Sequence, residues 1–271
     1  MAPPCATTGC AGRFRRQPTP RGPVQSRARR ATLSTSGRDP VKLTVIAPSG
    51  RVLDIESADA CPVLGVNTFV TFGSGEWARD YQVGGHGYHE AACKELEPAD
   101  LIWRDYIAGN ELVVSSNSRS VTVATLRSKH HELMGVFGGP TPPRDLIRSV
   151  FLDIDVVDNS AGMLIIPAPG NPMSIMREDV TIVVRNRGII HVPGSQNASS
   201  IIPNVAGTPT KFGEVWRRNT AESDAYTVEI QDVHFILAQP YAAAEISLKM
   251  FPDIPEKHLL SWIDNLQIAW S

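Results

Sequence analysis

The chain has 271 residues and a formal net charge of -2. Eight arginines and a single acid, Asp39, lie in residues 1–40, so the body from Val41 onward holds 18 bases against 27 acids, a net of -9. Hydrophobic residues at 42%, spread in patterned runs, exclude a wholly disordered protein, and the longest apolar stretches, such as Met163–Ile166, fall far short of the ~20 residues of a spanning helix.

Residues 1–40 predict a disordered Arg/Pro-rich leader, because six prolines and only four large apolar side chains leave nothing to pack. Three origins fit it. An organelle transit peptide is Arg-rich and acid-poor, with Arg29-Arg30-Ala31-Thr32-Leu33-Ser34 as the place for processing. A basic arm binds nucleic acid without sequence preference through Arg13, Arg15, Arg16, Arg27, Arg29 and Arg30, the charge layout of a coat-like protein. A non-native extension has no role. The first implies a plastid or mitochondrial location, and otherwise the protein belongs in the cytoplasm or in a virion.

Ordered patterning begins at Val41. Leu43, Val45 and Ala47 alternate with polar residues, Pro48-Ser49-Gly50 turns the chain, and Val52–Glu56 returns it as a hairpin. Val66–Phe72 is a β-branched and aromatic strand ended by Gly73-Ser74-Gly75. Five glycines in residues 73–90 predict a long loop or a strongly twisted hairpin. A helix is expected over Pro98–Ala108, with Leu101, Ile102 and Tyr106 as its buried stripe and Gly109-Asn110 as its stop. Strands follow at Leu112–Ser115 and Ser120–Leu126.

Gly138-Gly139-Pro140-Thr141-Pro142-Pro143 is the strongest internal break, giving an N-terminal β-rich lobe (41–139) and a C-terminal one (144–271), or one continuous domain. A helical turn or two over Arg144–Val150 then leads into strands at Phe151–Val157, Gly162–Pro167, Asp179–Arg185 and Gly188–Val192, the last two joined by Asn186-Arg187-Gly188. A polar loop covers Pro193–Thr210. Strands at Tyr226–Leu237 and Ala244–Met250, a helix over Pro255–Asn265 and a final strand at Leu266–Trp270 complete the chain. No sequence repeat of fixed period is evident. The expected fold is mainly β, an antiparallel sandwich-like body with two or three short helices, an α+β arrangement being the alternative.

Chemistry-bearing residues gather in three places. In Gly85-His86-Gly87-Tyr88-His89-Glu90-Ala91-Ala92-Cys93, the spacing of His86, His89 and Cys93 suits a divalent metal, with Glu90 as the base for a bound water; the plainer alternative is an exposed glycine-rich loop. Asp153 and Asp155, placed on one strand face, are a candidate acid/base or calcium pair, against a solvated strand face. His130-His131-Glu132 ends a strand beside Arg127 and Lys129. Nucleotide-binding loops and a nucleophile elbow are absent from the sequence, and no cofactor is expected beyond that metal. The favoured function is a non-catalytic structural or binding protein acting through surface loops and self-association as a homo-oligomer. The alternatives are an imported metal-assisted hydrolase or isomerase and the coat-like protein with its basic arm.

Overall fold

The structure, a computed structural model, describes residues 41–59, 61–74, 77–96, 100–117, 120–218, 233–248 and 256–271. The leader and its arginines, Tyr226 and the first part of its expected strand lie outside the described residues. The body opens with the hairpin β1 (Val41–Ile46) and β2 (Val52–Ser57), then β3 (Val63–Ser74), β4 (Trp77–Gly85) and helix α1 (Tyr88–Glu95). A meander follows: β5 (Asp100–Ile107), β6 (Asn110–Ser116), β7 (Val121–Arg127) and β8 (His131–Gly138). Helix α2 (Arg144–Leu152) leads to β9 (Ile154–Asn159), β10 (Gly162–Pro167), β11 (Ser174–Val184) and β12 (Gly188–Pro193). After a 3-10 turn at Ala198–Ile201 come β13 (Thr208–Pro209), β14 (Glu214–Arg218), β15 (Val233–Gln239), β16 (Ala242–Leu248), helix α3 (Glu256–Asp264) and β17 (Leu266–Trp270).

These strands form two sheets, so the fold is mainly β as expected. One has twelve strands in the order β13, β14, β15, β16, β12, β11, β3, β4, β8, β7, β6, β5, all antiparallel. The other has five in the order β17, β2, β1, β10, β9, where only β1 and β10 run parallel. The order contains a duplication. Among the described residues, β2 to β9 lay down six strands of the large sheet, a helix and one strand of the small sheet, and β10 to β17 repeat that sequence. Thus β3, β4, β8, β7, β6, β5 match β11, β12, β16, β15, β14, β13, and α2 matches α3. The halves meet where β3 pairs with β11, and they exchange strands in the small sheet, where β17 pairs with β2 and β10 with β9. Gly138–Pro143 joins β8 to α2 inside the first half.

Each half buries its own core between the sheets. In the first, Ile147 and Phe151 of α2 pack on Phe72, Tyr81, Leu133 and Met163. Tyr81 stands edge-on to Phe72 and Phe151, and its hydroxyl donates to the Val150 carbonyl at 2.8 Å, while burial pushes the phenol up to about 12. In the second, Leu259, Trp262 and Ile263 of α3 pack on Leu53, Ile182 and Ile246. An apolar cavity of about 20 Å³ beside Cys61 holds at most one water and is too small for a ligand. Gly188, at φ 138°, lets β12 approach β16: a Cβ there would lie 2.0 Å from the Ser247 carbonyl oxygen. Among the described residues no helix is long and apolar enough to cross a membrane.

Three local expectations are corrected. Residues 100–107 form strand β5, not a helix, because Ala108 (φ 48°) and Gly109 (φ 82°) make a two-residue hairpin turn into β6. Trp103 and Ile107 enter the core with period two, while Leu101, Ile102 and Tyr106, the supposed buried stripe, are exposed. Residues 88–95 form α1 instead of a loop. Helix α2 runs on to Leu152 so that Phe151 can enter the core, which delays the next strand to Ile154.

Candidate functional site

Helix α1 lies on the outer face of the first half. Its apolar side, Tyr88 and Ala92, packs on Val121, Val123 and Met134 of β7 and β8. Gly84 leaves room for the Tyr88 ring, whose Cγ would sit 2.4 Å from a Cβ at that position. The Tyr88 hydroxyl donates to Gln82 Oε1 at 2.6 Å. Beside this patch the strand alternation turns Ser115, Thr125 and Glu132 to the same outer face, and α1 covers them.

His89, 4% exposed, is the centre of the cluster. Its Nδ1 is 2.8 Å from Thr125 Oγ1 and its Nε2 2.9 Å from Ser115 Oγ. Cys93, one helical turn on, places Sγ 3.5 Å from the same Nε2. The start of α1 has no side-chain cap of its own, since Gly87 precedes it at φ 86°. Glu132 supplies the cap from β8: its buried carboxylate accepts the His89 N–H at 2.8 Å and the Gly87 N–H at 3.3 Å. Arg127 then ties the acids together. Its Nη2 bonds Glu90, its Nη1 lies 3.5 Å from Glu111 Oε2, and its buried Nε stands 3.4 Å from Glu132 Oε1 without hydrogen-bond alignment. Arg104 completes the chain of charges at 3.0 Å from Glu111.

Burial lowers the His89 imidazole below its ordinary value and raises the Cys93 thiol above its own, with Ser115 only partly opposing the latter. A neutral imidazole next to a neutral thiol is the reverse of the thiolate–imidazolium pair that makes a cysteine nucleophilic. The geometry therefore clamps α1 onto the sheet through a polar network in which the His89 ring and the Glu132 carboxylate are both hydrogen-bonded.

The other sequence candidates are dispersed. Left-handed Gly87 turns His86 away from His89, and its Nε2 lies 2.9 Å from the Lys129 carbonyl oxygen, so the structure brings together His89, Glu90 and Cys93 but not His86. Among the described residues no three His, Cys, Asp or Glu side chains are arranged to hold a metal ion. Asp153 does not share a strand with Asp155: it is the C-cap of α2 and pairs with Arg79, whereas Asp155 is exposed on β9. His131 Nδ1 lies 2.8 Å from Asp158 Oδ1, and the His130 N–H donates to Oδ2 of the same carboxylate at 2.6 Å. His191 and His234 pair across strands with Thr181 and Ser247 at 3.2 and 2.9 Å. Trp262 and Trp270 are core residues, and Cys61 and Cys93 are free thiols.

A second feature escaped the sequence reading because it required β5 to be a strand. Among the described residues the twelve-stranded sheet ends at β5 on one side and at β13 on the other. β13 has two residues and closes with Pro209, which blunts that edge. β5 has eight residues and no proline, and it leaves Leu101, Ile102 and Tyr106 exposed at 51, 43 and 66%. Behind it, Arg144 of α2 stacks over Trp103 with its guanidinium carbon 4.9 Å from the ring centre and bonds Asp105 at 2.8 Å, and Arg148 bonds the same carboxylate. Arg144, the Tyr106 N–H at 2.8 Å and Arg148 together hold the Asp105 carboxyl well below the usual range. Comparison of the chain with protein-family models, curated proteins and solved structures finds no match.

Proposed function

We propose that the protein is a non-catalytic β-rich structural or binding protein that acts by strand addition at β5. The observation that carries this is the inequality of the two sheet ends: one is two residues long and closed by proline, the other is eight residues long, exposes Leu101, Ile102 and Tyr106 and is open among the described residues. An open edge offers a row of backbone donors and acceptors to an extended partner. The flanking Trp103, Tyr106, Arg144 and Arg148 are the residue types that dominate binding energy at interfaces. The polar cluster under α1 supports the same assignment, since its histidine and cysteine are both held neutral and committed to internal hydrogen bonds.

The test is assembly measured by sedimentation for the wild type and for Tyr106→Pro. The Tyr106 N–H is donated to the Asp105 carboxylate, so proline there removes that bond and blocks the edge. The wild type is expected to self-associate and the variant to be monomeric. A wild type that assembles equally well with proline at 106 would contradict the assignment to β5.

A further inference from the structure

We infer that β17 is a second pairing edge, held closed by the turn between β15 and β16, with the side-chain amide of Gln239 standing where a neighbouring strand would. This edge belongs to the small sheet, so its closure is independent of β5. Among the described residues β17 ends that sheet beside β2. Ser271, just past β17, exchanges both backbone bonds with Val52, at 2.9 and 3.1 Å, and by alternation Ala269 and Gln267 turn theirs towards β2 as well. Leu266, Ile268 and Trp270 therefore direct their backbone groups away from β2, to the side where an edge strand offers them to another chain.

On that side the chain meets itself. The Ile268 N–H donates to Gln239 Oε1 at 2.7 Å, and Gln239 Nε2 donates to the Leu266 carbonyl at 2.7 Å. One amide thus spans the residues on either side of Gln267, accepting from one and donating to the other, which is how a residue of a parallel strand bonds its neighbour. Further along, the Trp270 N–H donates to the Tyr241 carbonyl at 3.4 Å. The turn is short: Gln239 pairs with Ala242, so only Pro240 and Tyr241 lie between the strands. Pro240 has no N–H to offer the edge, and the side chain of Gln239 supplies the donor. Leu237 and Ala242, at the base of the turn, share one core with Leu266, Ile268 and Trp270, which holds the turn against the edge. Pro209 blunts β13 by being unable to bond, whereas Gln239 closes β17 by bonding in place of a strand. A closure of that kind can be removed by one substitution.

The experiment is residue-resolved amide exchange with sedimentation velocity, on the full chain and on Gln239→Leu, at low and high protein concentration and with folding checked by circular dichroism. At low concentration the Ile268 amide of Gln239→Leu is expected to exchange at least about tenfold faster than in the wild type. At high concentration its protection is expected to return as the variant associates through β17, while the wild type protects Ile268 equally at both. Gln239→Glu keeps an acceptor for Ile268 and loses the donor for Leu266, so it is expected to fall between the two, and it carries the test if leucine at 239 prevents folding. Ile268 exchange as slow in the variants as in the wild type overturns the inference. Faster exchange with no gain of protection or of mass at high concentration overturns it too. Protection is read at residues 266–270, apart from any change at 100–107, so failure of the β5 assignment and failure of this inference are told apart.

Discussion

The two halves of the molecule share a strand order and differ in what they place outside it. Both inner faces are built alike, with a helix seating bulky side chains between the sheets: Ile147 and Phe151 in the first half, Leu259 and Trp262 in the second. The outer faces diverge. In the first half a full helix covers a buried ionic network and the sheet ends in a long open strand. In the second a 3-10 turn stands where α1 stood, Arg218 and Glu245 form an exposed pair, and the end strand is clipped at Pro209. The duplicated frame thus keeps the packing that folds each half while the outward surfaces differ.

The inner faces should break equally. Phe151→Ala and Trp262→Ala each remove a fully buried ring and are expected to cost about 3–5 kcal/mol in denaturant unfolding. A large inequality between them would show that the two cores are not equivalent. The outer faces should break unequally. Glu132→Ala leaves Arg127 and the first N–H groups of α1 without their buried carboxylate and is expected to cost about 3 kcal/mol, against less than about 1 kcal/mol for Glu245→Ala. Similar values for the two would dissolve the contrast.

Acid should also find the first half. The fold holds His89 neutral, with its imidazole below the ordinary 6.5, so the unfolded chain takes up the proton first as pH falls. Stability from this site is complete above pH 6.5 and declines below it, down to the folded-state value. Wild-type stability should therefore fall more steeply below pH 6.5 than that of His89→Gln, and parallel curves would show that His89 is not held neutral. The smallest effect concerns Cys93. Alkylation by iodoacetamide should be slow at neutral pH and accelerate only in alkali, whereas rapid labelling near neutrality that is lost in His89→Gln would reveal an activated thiol.

Much of the frame was legible where turn chemistry is local. Pro48-Ser49-Gly50 and Asn186-Arg187-Gly188 mark hairpins that the structure contains as β1/β2 and β11/β12, and the final helix and strand fall where expected. β5 was misread because Gly109-Asn110 punctuates a helix end and a hairpin alike, and only the pairing with β6 decides between them. Helix α1 was hidden because part of its buried side is a histidine, whose partners Ser115, Thr125 and Glu132 arrive from three strands as far as 43 residues away. Spacing did place Cys93 beside His89, one turn apart. The duplication left no sequence period because it lives in strand order: eight residues in β5 answer to two in β13.

The account turns on whether the open end of the sheet is the end that works. Amide hydrogen exchange at low and high protein concentration tests this directly, with residues 100–107 and 208–218 as the two ends. Protection of the β5 amides, Arg104 foremost, is expected to rise with concentration while β13 and β14 stay unchanged. Protection that rises at β13 and β14 instead, or at neither end, would contradict it.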